Sequence, residues 1–161
     1  MNKRYNFYNI FFIFILGTLF HFIYEWTANN FLVGLISPTN ESIFSHTKLV
    51  ILPTFLFYIL FYKRNKVILK KNKFFSSMIV EIVGSIVSMV LIYYTARFGF
   101  NIESMIFDIF LFFLSIVIGL ILSNHYYKFG KNGFNYKLWS IVILGLMVIL
   151  TIYPLNFPFF N

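Results

Sequence analysis

Apolar residues run along this chain in long unbroken blocks separated by short polar and basic connections. A helix that crosses a bilayer needs about 20 mostly apolar residues, since every backbone polar group must be paired inside the segment across roughly 30 Å of hydrocarbon. Five stretches satisfy this: residues 8–26, 42–62, 74–96, 104–124 and 138–153. The pattern predicts an all-α fold, a polytopic bundle of five transmembrane helices forming one integral membrane domain over residues 1–161. The second stretch follows the turn-like run Ser37-Pro38-Thr39-Asn40, where Thr39 or Asn40 can cap the helix and Glu41 complements its positive end. Pro53 falls inside that helix and is expected to kink it, and Pro154 closes the fifth.

Composition agrees with lipid as the solvent. Apolar residues make up 60% of the chain, charged residues 11%, and 24 Phe with 11 Tyr exceed what a small protein in water can cover. There is no cysteine, which excludes disulfides and thiolate metal sites. The first block follows Met-Asn-Lys-Arg but is too long for a secretion signal and lacks a small-x-small cleavage site.

Charge sets the orientation. With the N-terminus in the cytoplasm, Lys3, Arg4, Lys63, Arg64, Lys66, Lys70, Lys71, Lys73, Lys128, Lys131 and Lys137 lie inside, and only Lys48 and Arg97 lie outside. That asymmetry satisfies the positive-inside rule and puts the C-terminus outside, in a multi-pass protein of the plasma membrane. It also accounts for the net charge of +8 through anionic lipid at the cytoplasmic face, so no nucleic-acid partner is needed. Trp26 and Trp139 fall at opposite interfaces, as aromatic belts require.

Ionisable groups at membrane depth are costly and invite a functional reading. Of the five acidic residues, Glu25, Glu41, Glu103 and Asp108 fall at or near the outer face, Asp108 about 6 Å below it within reach of Arg97 or the His21 cluster, and Glu81 alone lies in the inner half with no evident partner. His21 and Glu25 stand four apart on one helical face, continued by Gly17, Thr18 and Asn29. His46 follows Asn40, Glu41, Ser42 and Ser45 at the start of the second helix, with Lys48 just beyond. His46 shares a face with Ser42, whereas Glu41 and Lys48 line another; a site using both Glu41 and His46 therefore requires Glu41 to be outside the helix. Imidazoles and carboxylates suit a divalent metal such as zinc, and they also serve as acid and base groups. His21, Glu25, Glu41 and His46 are thus the candidate catalytic and metal-ligating residues, with Asn40, Ser42, Lys48, Glu81 and Asp108 as further polar candidates. Ser77, Glu81, Gly84, Ser85, Ser88 and Thr95 in the third helix, and Ser104, Asp108, Ser115 and Gly119 in the fourth, predict a close packing seam with hydroxyls bonding across it.

The run His21-Phe22-Ile23-Tyr24-Glu25-Trp26, then Pro38-x-Asn40-Glu41-Ser42-x-x-x-His46-x-Lys48 and Pro53, resembles an uncharacterised family of small polytopic bacterial membrane proteins, a domain of unknown function. Tyr93-Tyr94-Thr95 and Asp108-Ile109 also resemble that family, which carries an acidic residue at the place of Ser45 and Gly at the place of Ala96. The resemblance implies a helical membrane protein and brings no activity with it.

Three functions follow from these residues. An accessory or structural protein would use its polar groups to hold the bundle and dock a partner. A membrane-embedded metal-dependent hydrolase would use His21, Glu25, Glu41 and His46 against a lipid-linked or peptide substrate. A transporter would use Glu81, Asp108 and His21 as a proton or cation route, and so thin a bundle would call for a homo-oligomer.

Overall fold

A computed structural model describes residues 3–131 and 133–154. The described residues are helical, without strands: α1 Lys3–Trp26, α2 Phe31–Gly34, α3 Ile43–Asn65, α4 Lys71–Tyr94, α5 Met105–Phe129 and α6 Tyr136–Ile152. A wide π-type turn over Thr95–Gly99 prolongs α4. Four helices, α1, α3, α4 with its extension, and α5, are long and apolar enough to cross a membrane. The fifth predicted span is α6, which has 17 residues and stands at the lower limit of length. The short α2 has no counterpart in the sequence expectation. Asn30 caps it by accepting from the Leu32 N–H at 2.9 Å.

Where the helices end is set by local chemistry. Past Trp26 the chain turns through Ala28 and Asn29, both in left-handed conformation at φ 53° and 58°, so Asn29 leaves the face it was expected to share with His21. The cap of α3 is Ser42, whose hydroxyl accepts from Ser45 N–H at 3.2 Å, and not Thr39 or Asn40. Asn40 supports the cap instead: its Oδ1 accepts from Ser42 Oγ at 2.7 Å and from Ser45 Oγ.

The most extensive contact is between α4 and α5, while α1 packs on α3 and on α5. Gly119 makes the first of these possible. A Cβ there would run into Ser85 Oγ and lie 2.5 Å from the Glu81 carbonyl oxygen. The small-residue seam is therefore present, but among the described residues no hydroxyl of the seam is seen to bond across it. Ser77 donates to Phe74 O, Ser88 to Ser85 O, Ser115 to Phe112 O and Thr95 to Leu91 O, each within its own helix. Back-bonding of this kind satisfies the hydroxyl where it stands and leaves van der Waals contact to hold the helices.

The antiparallel course brings the start of α1, the α3–α4 connection and the α5–α6 connection together, as the Asn124–Asn6 and Ser76–Phe134 hydrogen bonds confirm. All eleven basic residues assigned above to the cytoplasm lie at or beside this basic end. Large apolar side chains cover the outside. Phe7, Phe11, Ile15, Leu19, Phe22 and Trp26 make a continuous exposed stripe down α1, a surface suited to hydrocarbon and not to water.

Candidate metal centre

At the end opposite the basic loops, α1, α3, α4 and α5 enclose a cavity of about 560 Å³. Its wall is mostly apolar, with Phe14, Leu49, Met89, Leu111 and Phe112 prominent, and its polar groups include His21, Glu41, His46, Tyr93, Arg97 and Asp108.

Three of these converge. Glu41 lies just before the α3 cap, outside the helix, which is the condition the sequence imposed on a shared Glu41–His46 site. From there its Oε2 lies 3.5 Å from His46 Nε2, and its Oε1 lies 3.8 Å from His21 Nε2. One donor atom from each of the three residues falls within 4.8 Å of the others, a grouping that can hold a metal ion. With metal–ligand bonds of about 2.0–2.1 Å, two ligands of a tetrahedral zinc lie roughly 3.3–3.4 Å apart. The edge from His46 to Oε2 and the edge from His21 to Oε1 are each within half an ångström of that spacing, and the 83% exposed Glu41 side chain is free to turn one oxygen toward both rings.

The ring of His46 is already oriented. Its Nδ1–H donates to the Ser42 carbonyl at 2.8 Å, which fixes the tautomer and turns the Nε2 lone pair toward Glu41. A histidine that binds metal through one nitrogen commonly donates the other N–H to a backbone carbonyl in this way. The two imidazoles lie 5.4 Å apart at 31°, one from α1 and one from α3, so the grouping bridges two helices.

Arg97 and Asp108 complete the cavity from the α4–α5 side. The π-type turn carries Arg97 inward, where its Nη2 donates to Asp108 Oδ2 at 2.9 Å, its Nη1 to Ile102 O at 3.1 Å, and its guanidinium covers the Tyr93 ring. The expected reach of Asp108 toward Arg97 or the histidines is resolved in favour of Arg97. Apolar walls thus surround one positive group and three potential ligands.

The other sequence candidates separate from this cluster. Glu25 is exposed, stands outside the convergent group and does not line the cavity, so the four-residue spacing from His21 did not bring the pair to one ligand. Asn40 and Ser42 build the α3 cap. Lys48 is fully buried and donates to the carbonyls of Gly34 and Ser37 at 2.8 and 3.0 Å, tying α2 and the following turn to α3. It is a strap for the segment that carries Glu41.

Glu81, expected to have no partner, has one. Tyr58 donates to Glu81 Oε2 at 2.6 Å and lies 2.7 Å from Ser123 Oγ, in the interior and away from the cavity. Tyr58 was not among the sequence candidates, although a tyrosine inside the second predicted span was a signal that its hydroxyl needed a partner.

Neither a curated protein nor a solved structure matches the chain. One family profile covers all of residues 1–161, the extent over which the helices and both polar clusters are distributed. The chain therefore belongs to the family of unknown function DUF6512.

Proposed function

We propose that this chain is an integral membrane protein that binds a divalent metal such as zinc on His21, Glu41 and His46 and uses it to hydrolyse an amphiphilic, lipid-derived substrate held in the adjoining cavity. The observation that carries the reading is the convergence of three donor atoms within 4.8 Å, with one imidazole already oriented by a backbone carbonyl. Three protein ligands leave a fourth position for water, the arrangement of catalytic and not of closed structural zinc. A metal there would supply Lewis acidity and a nucleophilic hydroxide near neutral pH. The chain's own groups would do the rest: the apolar wall takes the hydrocarbon part, and Arg97, held by Asp108, faces an anionic head or a developing negative charge.

The placement in the cell that fits this reading is the plasma membrane, crossed several times, with the basic end in the cytoplasm against anionic lipid. The C-terminus and the cavity are then outside. Assembly into homo-oligomers is compatible with it and is tested by mass measurement in detergent.

Purified full-length protein should carry one metal per chain, and that metal should be lost in His46→Ala. Turnover of a lipid ester or phosphoester should follow the metal through chelation and restoration. Stoichiometric metal without turnover on any such substrate would support the accessory role, with the ion as a tie between α1 and α3.

A further inference from the structure

The interior of the basic half contains a polar cluster that the cavity chemistry does not use. Glu81 of α4, Tyr58 of α3, and Asn9 of α1 are fully buried, as is Ser123 of α5, and Tyr5 of α1 is 2% exposed. Tyr58 is the hub, with Glu81 Oε2 at 2.6 Å and Ser123 Oγ at 2.7 Å on the same hydroxyl. The Tyr5 phenol lies beside Tyr58, and the Asn9 amide beside the Glu81 carboxyl. The second carboxyl oxygen, Oε1, is buried and receives no hydrogen bond among the described residues. One turn before Tyr58, the Thr54 hydroxyl is likewise buried and unbonded among them.

Such a cluster is poor packing material. A carboxyl at this depth disfavours burial by several kcal/mol unless it is neutral or compensated. Among the described residues no positive group stands beside it: the titratable neighbours are the phenols of Tyr5 on α1 and Tyr58 on α3, with Tyr127 of α5 near Tyr5. The α6 helix, which also packs on α4, has no titratable side chain between Trp139 and Ile152. Among the described residues, hydroxyls and an amide face the carboxyl.

The cluster reaches toward one end, beneath the Phe57, Phe61 and Phe74 rings that pack on Tyr5 and Tyr58. Tyr5 stands two residues inside α1, and the half-buried Tyr127, one turn beyond Ser123, stands two residues from the end of α5. Glu81 is ten residues into α4, about 15 Å from that end at 1.5 Å per residue. On the other side Val50, Met89 and Leu111 form an apolar layer, and Met89 and Leu111 are also part of the cavity wall. Polar groups thus run from the basic end past Glu81 to the buried hydroxyls of Thr54, Ser85 and Ser115, and the apolar layer separates them from the cavity.

We propose that Glu81 is a reversible proton-binding site, loaded from the basic end of the bundle through the hydroxyls of Ser123 and Tyr58. In the loading step Ser123 accepts an incoming proton and gives its own to Tyr58 Oη, and Tyr58 gives its own to Glu81 Oε2. Each hydroxyl begins and ends with one proton, and the carboxylate becomes a carboxylic acid. Only O–H bonds break and form.

Infrared difference spectra of the full-length protein in lipid nanodiscs, recorded between acidic and alkaline buffer in light and heavy water, test this. The expected result is a pH-dependent protonated-carboxyl band that Glu81→Gln removes. Tyr58→Phe should keep that band but slow its hydrogen–deuterium exchange about tenfold or more, with Ser123→Ala slowing it in the same direction. If Glu81→Gln does not fold, glutamate-labelled protein with Glu25, Glu41 and Glu103 changed to Gln leaves Glu81 as the one labelled glutamate carboxyl. A Glu81 carboxyl that keeps one state across the pH range would overturn the proposal, as would exchange equally fast in Tyr58→Phe. A band displaced by sodium or lithium at fixed pH would also overturn it and assign the site to an alkali cation.

Discussion

Changing His46 to Ala removes one of three ligands and leaves the other two on different elements, His21 on α1 and Glu41 on the segment before α3. A four-ligand structural zinc site binds with about 10–16 kcal/mol, or roughly 2.5–4 kcal/mol per ligand. Since 1.4 kcal/mol is a factor of ten, His46→Ala should weaken metal binding about 10²–10³-fold. The loss falls at the upper end of that range, because His46 is the ligand whose ring the Ser42 carbonyl holds at 2.8 Å. Glu41→Gln should act in the same direction by removing the charge, while Glu25→Gln, exposed and outside the cluster, should leave the affinity unchanged. The assay is metal content of dialysed full-length protein, followed by competition with a chromophoric chelator. A coordinating imidazole must be unprotonated, so occupancy should also fall on acidification. An unmodified protein without stoichiometric metal would refute the site, as would a His46→Ala loss of less than about tenfold or a Glu25→Gln variant as damaged as His46→Ala.

The remaining predictions address packing and the cavity. Gly119→Val places atoms where Ser85 Oγ and the Glu81 carbonyl already stand, so it should destabilise the α4–α5 contact by about 1–3 kcal/mol, read as a lower melting temperature in detergent. Lys48→Met keeps the stem but leaves the Gly34 and Ser37 carbonyls without their donor; hydrogen bonds to charged groups contribute about 1.5–3 kcal/mol each. The segment before α3 should become protease-sensitive and metal affinity should drop with it, because Glu41 lies there. Arg97→Gln should weaken binding of a phosphate-headed detergent while leaving metal content intact, and Arg97→Lys should restore it only partly, since a lysine cannot hold both Asp108 and Ile102 O in the same fork.

How far the sequence reached depended on the range over which each feature is encoded. The long helices are written locally, because hydrocarbon demands an apolar run of fixed length, and α1, α3, α4 and α5 each contain most of a predicted span. The four-residue α2 is not, since a single Asn30 cap inside a loop resembles any other turn. At the site, His21, Glu41 and His46 were legible as polar residues in a costly place. Glu25 was drawn in by its spacing from His21, but periodicity gives a shared face without saying which neighbour that face meets. Glu81 lacked a partner in the sequence because Tyr58 lies 23 residues away on another helix, and the hydrogen bond exists only once α3 and α4 pack. Arg97 was legible as one of two partners within reach of Asp108, and the choice between it and the histidines waited on the π-type turn that swings the guanidinium inward.

The arrangement of the two polar sites constrains any activity that would join them. Met89 is eight residues beyond Glu81 on α4, about 12 Å along the helix, and with Val50 and Leu111 it makes a layer without hydrogen-bonding side chains. A proton cannot cross such a layer without water or a polar side chain to receive it, so Glu81 in this conformation exchanges with the basic end and not with the cavity. Chemistry at His21, Glu41 and His46 accordingly needs no proton from Glu81. Coupling between the sites would require α4 and α5 to separate at Met89 and Leu111. That movement is opposed by the tight Gly119 contact on the same pair of helices, which places Ser85 and the Glu81 backbone directly against α5. The carboxyl can therefore influence the cavity only through the spacing of α4 and α5, and a change in its protonation would be felt there as a mechanical displacement before it could be felt as a proton.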